Sequence, residues 1–227
     1  ITALALEGGF IWLFRTPPSV KNNISAIYRV TPEIQPTNES KPEDEKDRVE
    51  IPKTGIDTAF GSETPKVEIV EFIDFLCPAC RNLSYEMSKL VEDYPDKVRV
   101  IVKHFPLDSE CNNLLTHRKH PYSCEASKLV LCAAGRNKSH EAYKEVFALG
   151  SLSEASLLET AHSLGISPEA YGDCLNSQAI SDHITETVSL AKSLGLQGTP
   201  FVVINGMVQA DNSPEAIRRE VNRLVNN

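Results

Sequence analysis

From Val67 to Ile73 apolar side chains run almost without a break, with only Glu68 and Glu71 between them, and the run is short and β-branched. That pattern predicts a strand buried on both faces. It leads straight into Cys77. Pro78 suits the first helical position, and Leu83, Met87, Leu90 and Val91 then recur at helical spacing until Pro95. A helix capped by Cys77 is therefore expected. Val98, Val100 and Val102 alternate with Arg99, Ile101 and Lys103 as a second strand, giving strand, helix, strand with a right-handed crossover and the opening of a parallel sheet. From Pro121 to Leu196 the pattern is helical, with stops or caps at Gly135, Ser153, Gly165, Ser167 and Gly195. Phe201 to Ile204, the Asn205-Gly206 turn and Met207 to Gln209 read as a hairpin, and Ser213 caps a last helix through Leu224. The expected fold class is α/β, a small sheet split by a helical insertion over about residues 121–196.

The N-terminal pattern differs. Ile1 to Phe14 is mostly apolar but interrupted by Glu7, Gly8 and Gly9. At ~1.5 Å per residue a helix over this stretch reaches only about 21 Å, so residues 1–15 fit the remnant of a membrane anchor and a short docking segment equally well. Residues 16–55 are punctuated by Pro17, Pro18, Pro32, Pro36, Pro42 and Pro52 and carry a mixed-charge run from Glu39 to Glu50, which is linker chemistry. Within them Ile24, Ile27 and Tyr28 form one short apolar set at helical spacing. The main domain is placed at 56–227. With 227 residues, 41% of them hydrophobic, the chain is long enough to bury a real core, and a net charge of −8 argues against a nucleic-acid partner. The cysteine count, 6, is even and high for a cytosolic enzyme, which favours an oxidising, exported setting.

The candidate chemistry centres on Cys77-Pro78-Ala79-Cys80. Two cysteines three apart at a helix start share one turn, close enough to cycle between dithiol and disulfide. The free N–H groups and the positive end of the helix dipole favour the thiolate of Cys77, expected to be the exposed nucleophile, while covered Cys80 resolves the mixed disulfide. A bare Cys-x-x-Cys also occurs in zinc ribbons, and its position directly after a buried strand is what points to redox work.

Together with Phe60-Gly61-Ser62, Val70-Glu71-Phe72, Asp74-Phe75, Arg81, His104-Phe105-Pro106-Leu107 and Gly198-Thr199-Pro200-Phe201, the chain from about Ile56 to Asn227 resembles the DsbA-like thiol:disulfide oxidoreductases. The resemblance implies a thioredoxin-like fold with an inserted helical domain. It also implies that Pro200 is cis and faces the cysteine pair, and that the main chain of Thr199 binds an extended client by strand addition. Glu71, six residues before Cys77, is expected to assist as a buried acid relaying the proton that Cys80 must lose; Glu68 and Asp74 compete for that role, and a solvent-facing Glu71 is the alternative. The strongest oxidant of the family has His between its cysteines. Ala79 supplies no cation, so a milder oxidant is expected. The implied function is a dithiol oxidase acting on cysteine-containing exported proteins outside the cytoplasm, in the periplasm or at the outer face of the membrane, and reoxidised by a membrane redox partner. A reductase or isomerase of the same fold, or a redox-inactive binding or metal-chaperone module, is the alternative. No cofactor is implied.

Four further cysteines allow three pairings. Cys124 and Cys132 share a predicted helix, where eight residues of rise separate them by about 12 Å, beyond the ~7 Å limit. That leaves Cys111 with Cys124 and Cys132 with Cys174, or the crossed arrangement; the first closes one polar loop, and Cys132 and Cys174 as free buried thiols remain an option. The loop also carries His117 and His120. The set Cys111, His117, His120 and Cys124 has metal-ligand residue types but no recognisable spacing, so no metal is expected there.

Overall fold

The computed structural model describes residues 48–227. The expected anchor or docking segment at 1–15, the linker as far as residue 47 and the Ile24, Ile27, Tyr28 set lie outside the described residues. The chain forms β1 (Thr58–Gly61), β2 (Val67–Ile73), α1 (Pro78–Asp93) and β3 (Val98–His104). Five helices follow, α2 (Ser123–Ala134), α3 (Ser139–Ala148), α4 (Glu154–Ser163), α5 (Pro168–Leu175) and α6 (Gln178–Ser193). Strands β4 (Phe201–Ile204) and β5 (Met207–Val208) and helix α7 (Pro214–Asn226) complete it. Ser153, Ser167, Ser177 and Ser213 each accept a backbone N–H at the start of a helix, so the insertion is segmented by its serine caps.

The sheet order is β1-β3-β2-β4-β5. Among the described residues only β2 and β3 run parallel and every other pair is antiparallel, so the sheet is mixed rather than parallel. The reason is where the insertion leaves and returns. β3 ends with His104 opposite Ile73, and β4 begins with Phe201 opposite Phe72, at the same end of the sheet. The chain must then run back along β2. Strand β1 was not signalled by the hydrophobic pattern, because Thr58-Ala59-Phe60-Gly61 offers barely one alternation between polar neighbours. Pairing with β3 defines it, and a Cβ at Gly61 would collide with the Val98 carbonyl oxygen.

Alternation along the strands divides the core. Ile69, Ile73, Val100, Val102, Val202 and Ile204 face Leu83, Met87 and Leu90 of α1, Ile217 and Val221 of α7, and Leu129, Tyr143 and Phe147 from the insertion. Val70, Phe72, Ile101 and Val203 face Ile184, Val188 and Ala191 of α6. By its parity Glu71 shares the first face with Ile69 and Ile73. Residues 48–55, which composition groups with the linker, lie against the domain: Ile51 is buried in the α6-side core, the Val49 N–H donates to the Gly206 carbonyl at 2.8 Å, and Lys53 pairs with Glu68. Behind them Lys103 Nζ donates to the Pro52 carbonyl at 2.8 Å and to both Asp57 oxygens at 2.7 and 2.8 Å, with His183 Nε2 3.1 Å from the same carboxylate.

Lys103 and Asp57 are almost fully buried. Removing one partner leaves the other as an uncompensated buried charge. Lys103→Met is therefore expected to lower unfolding stability by about 3–5 kcal/mol, read from the denaturant midpoint, whereas Lys89→Met on the exposed side of α1 should leave it within about 0.5 kcal/mol.

Candidate active site

The site is built at the end of β2. The Asp74 carboxylate accepts the Leu76 N–H at 2.8 Å and the Leu107 N–H at 2.7 Å, and pairs with His120 Nδ1 at 2.6 Å. Its carbonyl accepts the Cys77 N–H at 3.1 Å. This turn delivers Cys77 to the N-cap of α1 in an extended conformation, with Pro78 opening the helix. Both cysteines are reduced. The sequence predicts an exposed Cys77; it is only 8% exposed, with its sulfur against the Thr199–Pro200 loop, and Cys80 is fully buried in the core beneath α1. The Cys77 sulfur lies 3.3 Å from the Thr199 carbonyl oxygen. The Thr199–Pro200 peptide bond is cis, and Asn212 Nδ2 donates to the Pro200 carbonyl at 3.1 Å.

The two sulfurs sit in opposite environments. A hydrogen bond from the Cys80 thiol, resisted by burial and helped by the Cys80 N–H, the Thr199 side chain and the Ala79 N–H, brings the Cys77 thiol down to about 5. Burial first, then the neighbouring Cys77 thiolate, pushes Cys80 strongly upward. Cys77 is thus the thiolate and Cys80 the retained proton.

Of the three acids, Glu71 is fully buried on the α1 face, where the Tyr143 hydroxyl donates to its Oε1 at 2.6 Å. Burial raises its carboxyl to about 7 against the pull of that hydrogen bond. Glu68 is tied to Lys53 at the surface, and Asp74 is taken up by backbone N–H groups and His120.

Cys111 is bonded to Cys124 and Cys132 to Cys174, with Cα separations of 5.9 and 5.8 Å. The first bridge joins the loop after β3 to α2; the second joins α2 to α5. Inside the loop Asp108 accepts Arg118 Nε at 2.9 Å and Nη2 at 2.8 Å, and Asn112 Nδ2 donates to the Pro106 carbonyl at 2.8 Å. With those sulfurs joined and His120 paired to Asp74, Cys111, His117, His120 and Cys124 do not converge as a ligand set. Sequence reasoning missed Asp74 as the keystone of the turn, Tyr143 as the partner of Glu71 and Asn212 as the brace of the Pro200 loop. Tyr143 reaches Glu71 across 72 residues, and Asp74 reaches Leu107 and His120 across 33 and 46, so no local pattern marks these partners.

The sequence matches the family described as DSBA-like thioredoxin domain over residues 68–222. The chain belongs to that family. The structure of the thiol-disulfide exchange protein alpha-DsbA2 from Wolbachia pipientis superposes with a TM-score of 0.62 at 23% identity, covering 73% of this chain and 86% of that one. A putative protein-disulfide oxidoreductase from Rickettsia bellii is 22% identical over 206 residues, 86% of this chain and 75% of its own length. A Na(+)/H(+) antiporter, NhaA 3 of Salinispora tropica, is 27% identical over 151 residues, 66% of this chain; the match spans only 22% of the antiporter.

Two measurements follow from the electrostatics of this DsbA-like site. In the reduced protein, alkylation at Cys77, located by mass mapping, should titrate with a midpoint near 5, while Cys80 reacts slowly throughout. A midpoint in the range of an ordinary thiol contradicts the asymmetry. For Glu71, a folded carboxyl raised above its unfolded value means that the native state holds a proton the unfolded chain has released. Stability is therefore lost as pH rises from about 4.5 to about 7. Glu71→Gln removes that loss, so its unfolding free energy relative to the parent should improve by on the order of 3 kcal/mol across this window; the titration of buried His104 is common to both proteins and cancels.

Proposed function

We propose that the chain is a thiol:disulfide oxidoreductase working as a dithiol oxidase on exported proteins, with Cys77 as nucleophile and leaving group, Cys80 as its redox partner, Glu71 as proton relay, and Thr199 and Pro200 holding the client. The observation that carries this reading is the placement of the two sulfurs, Cys77 at the N-cap of α1 beside Thr199 and Cys80 fully enclosed on the same turn, which lowers the first thiol and raises the second. A client thiolate attacks Cys77 of the oxidised pair, the Cys77–Cys80 bond breaks, and Cys80 leaves with the electron pair and takes a proton, for which Glu71 is the donor. A second client thiolate then attacks the client sulfur of the mixed disulfide and expels Cys77 as a stable thiolate. The client loses two electrons and gains a disulfide, and the Cys77–Cys80 pair gains them. Stabilising the Cys77 thiolate stabilises the reduced form, which makes the disulfide an oxidant. The absence of a cation at Ala79 keeps the stabilisation moderate.

The Thr199 carbonyl beside the Cys77 sulfur supports a client bound by main-chain hydrogen bonds in extended form, which accepts many sequences. Two disulfides away from the reactive pair support an oxidising, extracytoplasmic setting. Among the described residues no helix is long and apolar enough to cross a membrane. Turnover requires a membrane redox partner that takes two electrons from the Cys77–Cys80 dithiol. Equilibration of that pair with glutathione at defined ratios decides the direction. The expected potential is more oxidising than about −200 mV, and a value below about −250 mV makes the protein a reductase.

A further inference from the structure

Glu71 is held from the insertion, not from the thioredoxin core that carries it. Tyr143 lies on α3, is fully buried, and its ring is packed among Phe60 of β1, Phe75 of the active-site turn and Phe147 of α3, with ring centroids 5.1, 6.4 and 4.9 Å away. Three aromatic neighbours from three segments leave the ring one orientation, with its hydroxyl 2.6 Å from Glu71 Oε1. The other oxygen, Oε2, is buried and has no hydrogen-bond partner among the described residues. A carboxyl with one oxygen saturated by a donor and the other bare in an apolar pocket is asymmetric, and a proton added to it resides on the bare oxygen.

We propose that Tyr143 is a positioning residue for the thiol chemistry: its hydroxyl occupies Glu71 Oε1 and so confines the exchangeable proton to Oε2. This rests on the reading of Glu71 as the relay for Cys80. When Cys80 leaves as a thiolate, the proton passes from Oε2 to the sulfur, and the carboxylate left behind keeps the Tyr143 hydrogen bond at Oε1. On reoxidation the same proton returns. Tyr143 donates in both states and is itself never deprotonated, since burial and the adjacent Glu71 hold its hydroxyl well above the ordinary phenol range. Among the described residues, the titratable groups around this face include Cys77 at the N-cap of α1, Cys80 on α1, His104 on β3 and His140 on α3, with Lys144 of α3 and Glu92 of α1 acting on His140. His104 is fully buried and brought down to about 3 by that burial, and its Nε2 is engaged with Thr58 at 2.9 Å. His140 is stacked on Phe60 and is likewise lowered by burial. The charged residues of α7 nearest α1 are committed elsewhere, Arg218 to Glu86 and Asp93. Burial holds both histidines toward the neutral form, which leaves Glu71 as the acid assigned to exchange with Cys80.

The test is the pH dependence of the step in which Cys80 attacks the mixed disulfide, measured by stopped-flow on the full chain with Cys77 loaded with glutathione, alongside the infrared band of the Glu71 carboxyl. Tyr143→Phe retains the ring packing and deletes only the donor. It should raise the pH midpoint of that step by about one unit and shift the carboxyl band to the frequency of a carbonyl without a donor. Replacement of Tyr143 by 3-fluorotyrosine, a stronger donor of nearly the same size, should move the midpoint the opposite way, and it serves as the reading if Tyr143→Phe does not fold. Unchanged midpoint and band in the variant that folds overturn the positioning role. Glu71→Gln separates the two claims. Loss of its pH dependence with no response to Tyr143 changes leaves the relay standing without its positioning residue, and an unchanged profile in Glu71→Gln removes the relay itself and with it this inference.

Discussion

The turn after β2 and two points of the loop after β3 meet on one buried carboxylate. Asp74 accepts from Leu76 in the active-site turn and from Leu107 beyond β3, and pairs with His120 ahead of α2. Two of these are bonds from backbone N–H groups that would otherwise be orphaned in the interior, where each costs about 1–3 kcal/mol. The turn that presents Cys77 at the start of α1 depends on this arrangement, and so does the seating of the loop bridged by Cys111 and Cys124. The contrast between the two sulfurs is set on this turn. One helical turn separates the two sulfurs, yet one meets N–H groups and Thr199 while the other is enclosed.

The helical insertion is more than a lid over that turn. It returns the chain at the end of the sheet where it left, which makes β4 antiparallel to β2 and sets Thr199 and Pro200 opposite the cysteine pair. It also sends Tyr143 and Phe147 into the core beneath the site, so that the environment of Glu71 belongs jointly to sheet and insertion. Two disulfides secure this arrangement at separations of 13 and 42 residues, worth about 3 and about 4 kcal/mol in the chain-entropy account. Cys111–Cys124 steadies the polar entry to the insertion, and Cys132–Cys174 ties α2 to α5.

The face of the sheet away from the cysteines solves a different problem. Lys103 points there by strand parity, into a layer otherwise made of Val70, Phe72, Ile101 and the apolar side of α6. Asp57, His183 and the Pro52 carbonyl surround its ammonium, and residues 48–55 are held over the sheet in consequence. The buried charge thus organises a segment whose composition alone reads as linker.

Local sequence determined the elements whose signals are local. Hydrophobic periodicity marks β2, α1 and β3, serines ahead of helical runs mark the segmentation of the insertion, and Asn205-Gly206 marks the final hairpin. The cysteine pair is legible for the same reason, since a strand, a Cys-x-x-Cys and a proline-led helix are contiguous and each has a physical signature within a few residues. Tertiary structure decided what depends on distant partners. Strand β1 exists because β3 offers it a ladder; its own sequence has too little alternation to declare it. The limited exposure of Cys77 is decided by a loop more than a hundred residues away, and the choice of Glu71 over Glu68 as the buried acid by which face of β2 the insertion covers. Tyr143 acquires its role, and Asp74 its bonds to Leu107 and His120, only when folding brings a donor to an acceptor across long stretches of chain. Burial and hydrogen bonding are properties of neighbours in space, and a sequence pattern reports neighbours in space only where they are also neighbours along the chain.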